Sequence, residues 1–306
     1  MAEEFNLYPL HVFRLLARSG NVTRTAQELF VSQPAVSAHL KLLEQRYGEP
    51  LFERTARGMI LTTMGLVVLE QANKLFALYE EIPHRLNEAR GIVQGEITLA
   101  ASSTPGAYCV PELLKRFQAQ YPEARPTLMV GASGEVLEWL REYRVPLGVV
   151  GELAMDEGLH RLEIGADELR LVTAGDDALF RTREIKAKHV CDRVLFLRER
   201  GSSTRAKAET LLADLIPSFR RVVELRNTDA IKQAVASGLG VAVLSSWATR
   251  LEESAGLLRP VRDTRLRHQR RFYLVRRQDR SLSGSAAALW ESLTAKQTKA
   301  QTYIRP

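Results

Sequence analysis

The sequence has only two cysteines, Cys109 and Cys191, among its 306 residues. They form no Cys-x-x-Cys pair, and neither stands beside a group of histidines. This spacing argues against a disulfide-stabilised scaffold and against a structural zinc site. We expect two ordinary reduced thiols, with a redox-sensing pair as the alternative.

Long apolar segments are also lacking. No uncharged apolar run reaches the roughly 18 residues that a membrane-spanning helix needs. The first residues, MAEEFNLYPLH, carry acids and a proline in place of the basic and apolar regions of a secretory signal. We therefore expect a cytoplasmic protein without a membrane partner.

The chain lacks the arrangements that catalysis or cofactor binding requires. Its six histidines are scattered, and no His-Glu-x-x-His, P-loop or Gly-x-Ser-x-Gly pattern occurs. The pair Gly238 and Gly240 is too short for a dinucleotide fingerprint and fits a close approach of helix and strand instead. We expect no enzymatic activity, no cofactor and no metal.

Length and composition are those of a globular protein with two or three domains, since 45% of the residues are hydrophobic and 26% are charged. The net charge of +7 invites a nucleic-acid partner, but most of the excess lies in residues 259–306. Residues 1–65 are almost neutral, so a DNA-binding function must rest on where individual residues stand. The basic C-terminal region has no assigned role.

The first sixty-five residues predict three helices. Asn6 is placed to cap a first helix that ends at Gly20, and a second helix is expected from about Thr23 to Phe30. Ser32 is a good N-cap for a third helix, with Pro34 in its first turn. Two helices joined by so short a turn are typical of a helix-turn-helix.

The third helix has two distinct faces. An apolar face, which we expect to point inward, recurs at three- and four-residue steps: Val36, Leu40, Leu43 and Tyr47. The opposite face is small and polar: Pro34, Ser37, Ala38, Lys41 and Gln45. Such a face can lie close in the major groove, where Ser and Gln hydrogen-bond base edges and helix N–H groups hold a phosphate.

A small β-hairpin is predicted after Gly48. In PLFERTARGMILTTMG the apolar pairs Leu51-Phe52 and Ile60-Leu61 flank a turn at Arg57-Gly58. Arg54 and Arg57 would project from this wing toward phosphates or the minor groove. The alternative is two solvated arginines on a surface turn.

The run from Asn21 to Gly65 resembles the DNA-binding signature of LysR-type transcriptional regulators. The matching motifs are SQPAVS at Ser32–Ser37, LE at Leu43-Glu44, G-x-PLFER at Gly48–Arg54 and LT-xx-G at Leu61–Gly65. One departure is Ala38, where many relatives carry Arg or another polar residue. The resemblance implies double-stranded operator DNA as a partner, access of RNA polymerase as the output, and these DNA-contacting candidates: Ser32, Gln33, Pro34, Ser37, Ala38, His39, Lys41, Arg54, Thr55 and Arg57.

A long helix is expected next, capped by Thr62 or Thr63 and reaching about Arg90. Its apolar positions resemble a coiled-coil strip: Leu69, Ala72, Phe76, Tyr79 and Leu86, with Ile82 or Pro83 between the last two. Pro83 is expected to bend or interrupt the helix. In the LysR family this helix pairs two subunits, which implies a dimer and a dimer of dimers, hence a homotetramer; packing on the chain's own sensor domain is the alternative.

From Gly95 the pattern alternates strands and helices, which indicates parallel sheets. The strands are expected at 96–101, 125–130, 147–150, 169–173, 194–197, 222–225, 241–244 and 271–275, and the helices at 111–120, 136–143, 204–215, 229–237 and 286–293. The resemblance implies two lobes, like those of a periplasmic binding protein, with a ligand between them.

The fold class is therefore α/β overall: an all-α winged helix-turn-helix (1–65), a linker or dimerisation helix (66–91) and a two-lobed α/β effector-binding domain (92–306). Lobe I is expected to comprise about 92–164 and 266–306, and lobe II about 165–265.

Candidate effector-binding groups follow three predicted strands, at the edge where open parallel sheets bind ligands. They are Ser102, Ser103 and Thr104; Ser202, Ser203 and Thr204; and Asn227 with Thr228. Hydroxyls beside helix N–H groups suit carboxylate, sulfate or phosphate, whereas each cluster alone fits simple N-capping. The stretches around them resemble regulators of carbon-fixation and cysteine (sulfur) operons, which implies a small anionic metabolite.

Overall fold

The computed structural model describes residues 6–56, 58–152 and 157–294. Arg57, one of the predicted DNA-contacting residues, lies outside these ranges. The described residues fall into two compact units, one comprising residues up to Pro83 together with Glu142–Arg144, and the other comprising the rest. No helix within the described ranges is long and apolar enough to cross a membrane.

The N-terminal unit is the predicted winged helix-turn-helix. Its elements are α1 (Tyr8–Ser19), α2 (Val22–Leu29), α3 (Gln33–Tyr47), β1 (Phe52–Thr55), β2 (Gly58–Leu61) and the first part of α4 (Thr63–Ala89). Strands β1 and β2 pair antiparallel, from Phe52 opposite Leu61 to Thr55 opposite Gly58. The core is formed by the facing sides of the helices and the wing: Phe13, Leu16, Leu40, Leu43, Leu51 and Phe52.

Local signals set the helix ends. The Ser32 hydroxyl accepts a hydrogen bond from the Ala35 N–H at 3.3 Å, so it caps α3 as predicted. Asn21, which we did not predict as a cap, does the same for α2. Gly20 and Gly48 end α1 and α3 with left-handed backbones. Asn6 is not the N-cap of α1; Leu7 holds that position, and the Asn6 side chain accepts from the Tyr8 N–H.

One predicted core residue is wrong. Val36, Leu40 and Leu43 are buried, but Tyr47 is 46% exposed. The apolar spacing continues to the last turn of α3, whereas the packing that would cover that turn does not. The spacing of apolar residues predicts which side of a helix is buried, but it does not predict how far along the helix the covering residues extend.

Helix α4 runs unbroken for 27 residues and continues through Pro83, so the predicted interruption does not occur. The predicted apolar strip divides along the helix. Ala72 is buried and Leu69 and Phe76 are half-buried, whereas Tyr79 and Leu86 are exposed. The large exposed apolar residues of α4 are Met64, Leu66, Val67, Leu78, Tyr79, Ile82 and Leu86.

The second unit contains two α/β lobes joined by two long strands. Lobe I contains β3 (Gly95–Ser102), α5 (Ser103–Tyr108), α6 (Val110–Gln120), β4 (Ala124–Gly131), α7 (Ser133–Arg141), β5 (Leu147–Gly151) and α11 (Gly284–Thr294). Lobe II contains β7 (Val194–Leu197), α8 (Ser203–Leu211), β8 (Arg221–Glu224), α9 (Thr228–Ala236), β9 (Val241–Ser245), α10 (Ser246–Ser254) and β10 (Leu258–Pro260). The joining strands are β6 (Leu159–Ala174) and β11 (Arg267–Arg277).

The sheet order is β4-β3-β5-β11-β6-β9-β7-β8, with β10 paired to β6. The strands β3, β4 and β5 are parallel, as are β7, β8 and β9. The prediction of parallel sheets is wrong for β6 and β11, which pair antiparallel, as does the unpredicted β10. Strand β11 pairs with β5 over Phe272–Val275, and β6 pairs with β9 over Leu169–Val172.

Several boundaries differ from those expected. Strand β6 begins at Leu159, ten residues before the predicted strand, and α8 ends at Leu211 instead of Leu215. Helices α5 and α10 and strand β10 were not predicted. The domain and lobe boundaries given above remain predictions.

Candidate DNA-binding surface and effector site

The polar side of α3 is exposed, as predicted. Gln33, Pro34, Ala38 and Lys41 are exposed, and Ser37 is half-buried. Ser32 is exposed too, although its hydroxyl is engaged in capping the helix. A helix whose outer side carries small residues near its N-terminus fits the width of the major groove.

His39 is the exception among the α3 candidates. It is half-buried, and its ring meets the ring of Tyr8 edge-on, with centroids 5.0 Å apart. The ring centroids of Tyr8 and His11 are 6.4 Å apart, and those of His11 and Phe76 of α4 are 5.6 Å apart. A row of rings thus connects the third helix to the middle of α4. Burial, with Arg14 nearby, lowers the pKa of His11, so this imidazole is neutral at pH 7.

The wing places two predicted residues on its exposed edge. Arg54 and Thr55 are both exposed. The Thr55 hydroxyl donates to the carbonyl of Gly58 at 3.0 Å and so closes the hairpin turn. Thr55 therefore has a structural contact as well as an exposed position, while Arg54 presents its charge to solvent.

The first two effector clusters come together between the lobes. Ser102 ends β3, and Ser103 and Thr104 begin α5. Ser202 is the N-cap of α8, and Ser203 and Thr204 begin that helix. With Ala132, Ser133 and Arg198 they line a cavity of about 10 Å³, enough for roughly one water molecule. The Ser133 hydroxyl is buried there without a hydrogen-bond partner among the described residues.

Arg198 joins the first and third clusters and lines the same cavity as the second, and it was not among the predicted residues. Its side chain is 5% exposed. Nη2 donates to the Ser103 hydroxyl at 3.0 Å, Nη1 donates to the Thr228 hydroxyl at 2.6 Å, and Glu199 accepts from Nε and Nη2 at 2.8 Å each. The available signal was a basic residue that ends the apolar strand VLFL just before a Ser/Thr-rich helix start.

The third cluster has divided roles. The Asn227 side-chain oxygen accepts from the N–H groups of Asp229 and Ala230, at 2.7 and 3.2 Å. Asn227 is therefore the N-cap of α9, in line with the N-capping alternative. Thr228 is half-buried and turned toward Arg198. By contrast, Ser202 holds the N-cap position of α8 without a side-chain capping bond, so this positive helix end is not neutralised by its own cap.

A buried ion pair supports the second cluster from below. Arg270 of β11 and Asp167 of β6 are opposite each other in the sheet, with Nη2 and Oδ2 2.6 Å apart. The Arg270 guanidinium also donates to the Thr204 hydroxyl at 2.8 Å and to the Ser203 hydroxyl at 3.2 Å. Complete burial lowers the pKa of Arg270. The strands that join the lobes thus hold two of the predicted effector-binding hydroxyls.

Glycine is required beside these hydroxyls. A Cβ on Gly151 would stand 2.3 Å from the Ser203 hydroxyl oxygen, which is closer than atoms can approach. The Gly151 N–H also donates to the Ser102 hydroxyl at 3.3 Å. The end of β5 therefore brings the first and second clusters against one another.

The cysteines take no part in this site. Cys109 is buried, and burial raises the pKa of its thiol to about 12, so it stays protonated. Cys191 is exposed in lobe II, and both thiols are free.

Comparison with known proteins agrees with both units. The model for bacterial regulatory helix-turn-helix proteins of the lysR family matches residues 7–66, and the LysR substrate binding domain model matches residues 90–298. The HTH-type transcriptional activator CmpR of Synechocystis sp. is 29% identical over 94% of this chain and 95% of its own. The RuBisCO operon transcriptional regulator of Allochromatium vinosum is 29% identical over 94% of each. CysL of Bacillus subtilis is 28% identical over 79% of this chain and 81% of its own.

Solved structures give the same fold. Full-length OxyR from Pseudomonas aeruginosa, at 20% identity, aligns over 99% of this chain and 100% of that chain with a TM-score of 0.68. The regulatory domain of Synechocystis CcmR, solved in complex with 2-PG, is 26% identical over 68% of this chain and 99% of that chain, with a TM-score of 0.61. The relatives are regulators and not enzymes, and they include the carbon-fixation and cysteine branches expected from the sequence. The chain therefore belongs to the LysR family of transcriptional regulators, with an N-terminal helix-turn-helix that binds DNA and a two-lobed domain that binds a small-molecule effector.

Proposed function

We propose that this regulator binds a small anionic metabolite between its two lobes and that binding changes how it holds and bends operator DNA. The observation that carries the proposal is Arg198, a buried cation that joins Ser103 of lobe I to Thr228 of lobe II. A guanidinium presents paired donors that match a carboxylate or a phosphate.

Two further features favour an anion. The α8 N-terminus enters the cavity without a side-chain cap, so its N–H groups and helix dipole favour negative charge. Buried hydroxyls surround the same space, and that of Ser133 has no partner in the described ranges. The CcmR regulatory domain was solved with 2-PG, which supports a small metabolite as the ligand of this chain.

The cavity is too small for a metabolite, so binding of an effector requires a movement of the residues that line it. About 10 Å³ cannot hold a metabolite, so the lobes must separate or the side chains between them must rearrange. The lining residues come from both lobes. A ligand that contacts both lobes therefore changes the angle between them through β6 and β11.

For DNA, we propose that α3 enters the major groove. Ser37 and Lys41 would contact bases or phosphates, and the exposed methyl group of Ala38 would meet an apolar group such as a thymine methyl. Arg54 on the wing would contact the backbone or the minor groove. Many relatives carry a polar residue at the position of Ala38. We therefore expect this protein to prefer an operator sequence that differs from theirs.

We further propose that α4 pairs two copies of the chain. Leu78, Tyr79, Ile82 and Leu86 form an exposed apolar row at helical spacing, and a second copy of the same helix fits it. Two paired copies would present two α3 helices to a palindromic site, and two such dimers would hold paired sites. A change of lobe angle would then alter their spacing, the DNA bend and the access of RNA polymerase.

Point variants separate the two activities. Ser37→Ala and Lys41→Ala should weaken operator binding and leave effector affinity unchanged, whereas Ser103→Ala and Thr204→Ala should impair the effector response with basal DNA binding intact. Lys115→Ala, an exposed lysine of lobe I, is the control for loss of one positive charge. Footprinting and bend-angle assays with and without a bound anion test the mechanism. Identical footprints and bends at saturating ligand would overturn it.

A further inference from the structure

We propose that Glu199 is a built-in competitor of the effector: its carboxylate occupies the Arg198 guanidinium in the ligand-free protein and must leave when an anion binds. This inference rests on the proposed function, because it concerns the same cation. It adds a residue that sets how much effector is needed.

The Glu199 carboxylate pairs with the Arg198 guanidinium as a bound acid would. Glu199 takes two of the Arg198 donors, Nε and Nη2, with both distances 2.8 Å. This paired arrangement is how a guanidinium binds a free carboxylate or phosphate. The Glu199 carboxylate thus stands where the acidic group of a ligand would have to go. Its side chain is 11% exposed, so it is largely shielded from solvent beside Arg198, which lines the cavity.

Arg198 has further hydrogen-bond partners in the site, whereas within the described ranges the Glu199 carboxylate has none besides Arg198. Arg198 also donates to Ser103 and Thr228, so it stays anchored if Glu199 departs. Within the described ranges, the Glu199 carboxylate makes its hydrogen bonds and ion pair with Arg198 alone. An entering anion can therefore take over the same donors while Glu199 turns toward solvent.

The buried pair of Arg270 and Asp167 provides the contrast. There the carboxylate is held from two sides, since Asp167 accepts from Arg270 at 2.6 Å and from the Ser246 hydroxyl at 3.1 Å. Both side chains are almost fully buried. The Asp167 carboxylate is thus held by two residues, whereas the Glu199 carboxylate is held by one residue, Arg198.

Competition by Glu199 predicts how much the affinity for an anion changes when Glu199 is removed. If Glu199 must vacate Arg198 before any anion binds, its removal strengthens the binding of chemically different anions by the same factor. A hydrogen-bonded charged group of this kind corresponds to a factor of roughly ten to a hundred. A residue that contacted the ligand directly would instead change different anions by different factors.

The test compares the full-length protein with Glu199→Gln and Glu209→Gln by isothermal titration calorimetry. The probes are inorganic phosphate and inorganic sulfate. Glutamine keeps the shape and one acceptor but loses the charge. Glu209 is the matched control, because it is an exposed carboxylate of α8 that accepts from Arg205 at 2.8 Å and, within the described ranges, has no hydrogen bond to Arg198. Thermal unfolding checks that each variant is folded, and Glu199→Asp, which keeps the charge on a shorter arm, serves as a milder second variant.

We expect Glu199→Gln to bind both anions roughly ten- to a hundredfold more tightly than the unaltered protein, Glu199→Asp to gain less, and Glu209→Gln to gain nothing. If the unaltered protein binds an anion and Glu199→Gln binds it equally or more weakly, the competitor role is wrong and the proposed function stands. Gains that differ between the two anions also contradict competition. If the folded proteins bind neither these probes nor other small anions, the proposed function fails, and this inference fails with it.

Discussion

Replacing Asp167 by asparagine should destabilise the effector-binding domain strongly. Asp167 and Arg270 face each other on β6 and β11, and their side chains are 0% and 1% exposed. Asparagine keeps the shape but leaves the Arg270 cation buried without an opposite charge. Breaking one partner of a buried ion pair costs about 3–5 kcal/mol. For a domain of this size, that corresponds to a fall in Tm of roughly 6–20 °C.

The same two strands supply a control. Arg271 and Glu163 form an ion pair with Nη1 and Oε2 3.2 Å apart, but their side chains are 62% and 44% exposed. An exposed pair contributes only about 0–1 kcal/mol, so Glu163→Gln should unfold within about 4 °C of the unaltered protein. The double substitution Asp167→Leu with Arg270→Met should recover much of the loss, because it leaves no charge behind.

Differential scanning calorimetry of the full-length variants is the assay. Asp167→Asn should lose several times more stability than Glu163→Gln. If the two variants unfold within a degree of each other, burial does not set the strength of these ion pairs, and the role given to Arg270 under Ser203 and Thr204 is refuted.

The hydrogen bond from Arg265 lowers the pKa of Asp263 to about 2, below its unfolded value. Its contribution to stability is therefore present above about pH 4 and lost as the pH falls toward 2; acid-unfolding curves of Asp263→Asn should lack this component, and an unchanged curve would contradict it. A Cβ on Gly65 would stand 2.1 Å from the Leu51 carbonyl oxygen, so Gly65→Ala should destabilise the DNA-binding unit by about 1–3 kcal/mol and weaken DNA binding, with effector affinity as the unaffected control. If α4 pairs two copies, Ile82→Asp should lower the mass measured by analytical ultracentrifugation, and an unchanged mass would rule out this face.

The DNA-binding unit could be predicted closely because its signals are local. Ser32 caps the helix that follows it, Gly48 ends that helix, and the hairpin lies between two apolar pairs. The error at Tyr47 has the opposite cause. Whether the last turn of a helix is covered depends on distant parts of the chain, and no spacing within α3 reports that.

The effector domain was predicted less completely. The first half of β6 mixes charged and apolar residues and resembles a connection, yet it pairs with β11 more than a hundred residues later. Helix α5 contains Pro105 and Gly106, which favour a loop. Helix α10 is short and carries mixed polar residues.

Arg198 shows why the prediction of the site from the sequence was incomplete. Its partners Ser103 and Thr228 stand 95 and 30 residues away in the sequence. Each hydroxyl cluster lies at the carboxyl end of a strand that is parallel to its neighbour, where the sequence predicted it. The two strands, β3 and β7, belong to different lobes, so the packing of the lobes brings the clusters together. Which charged side chain reaches between them is decided by the packing of two lobes, and only the folded chain reveals it.

The most direct test is fluorescence anisotropy of the full-length protein on DNA from just upstream of its own gene, against scrambled DNA, at roughly physiological salt and with small anions added in turn. We predict binding about a thousandfold tighter to the upstream DNA, together with a change in affinity or bend on addition of one anion that Arg198→Ala abolishes. Equal and salt-labile binding to both DNAs across genomic fragments, with no response to any anion, would contradict a metabolite-controlled DNA-binding regulator.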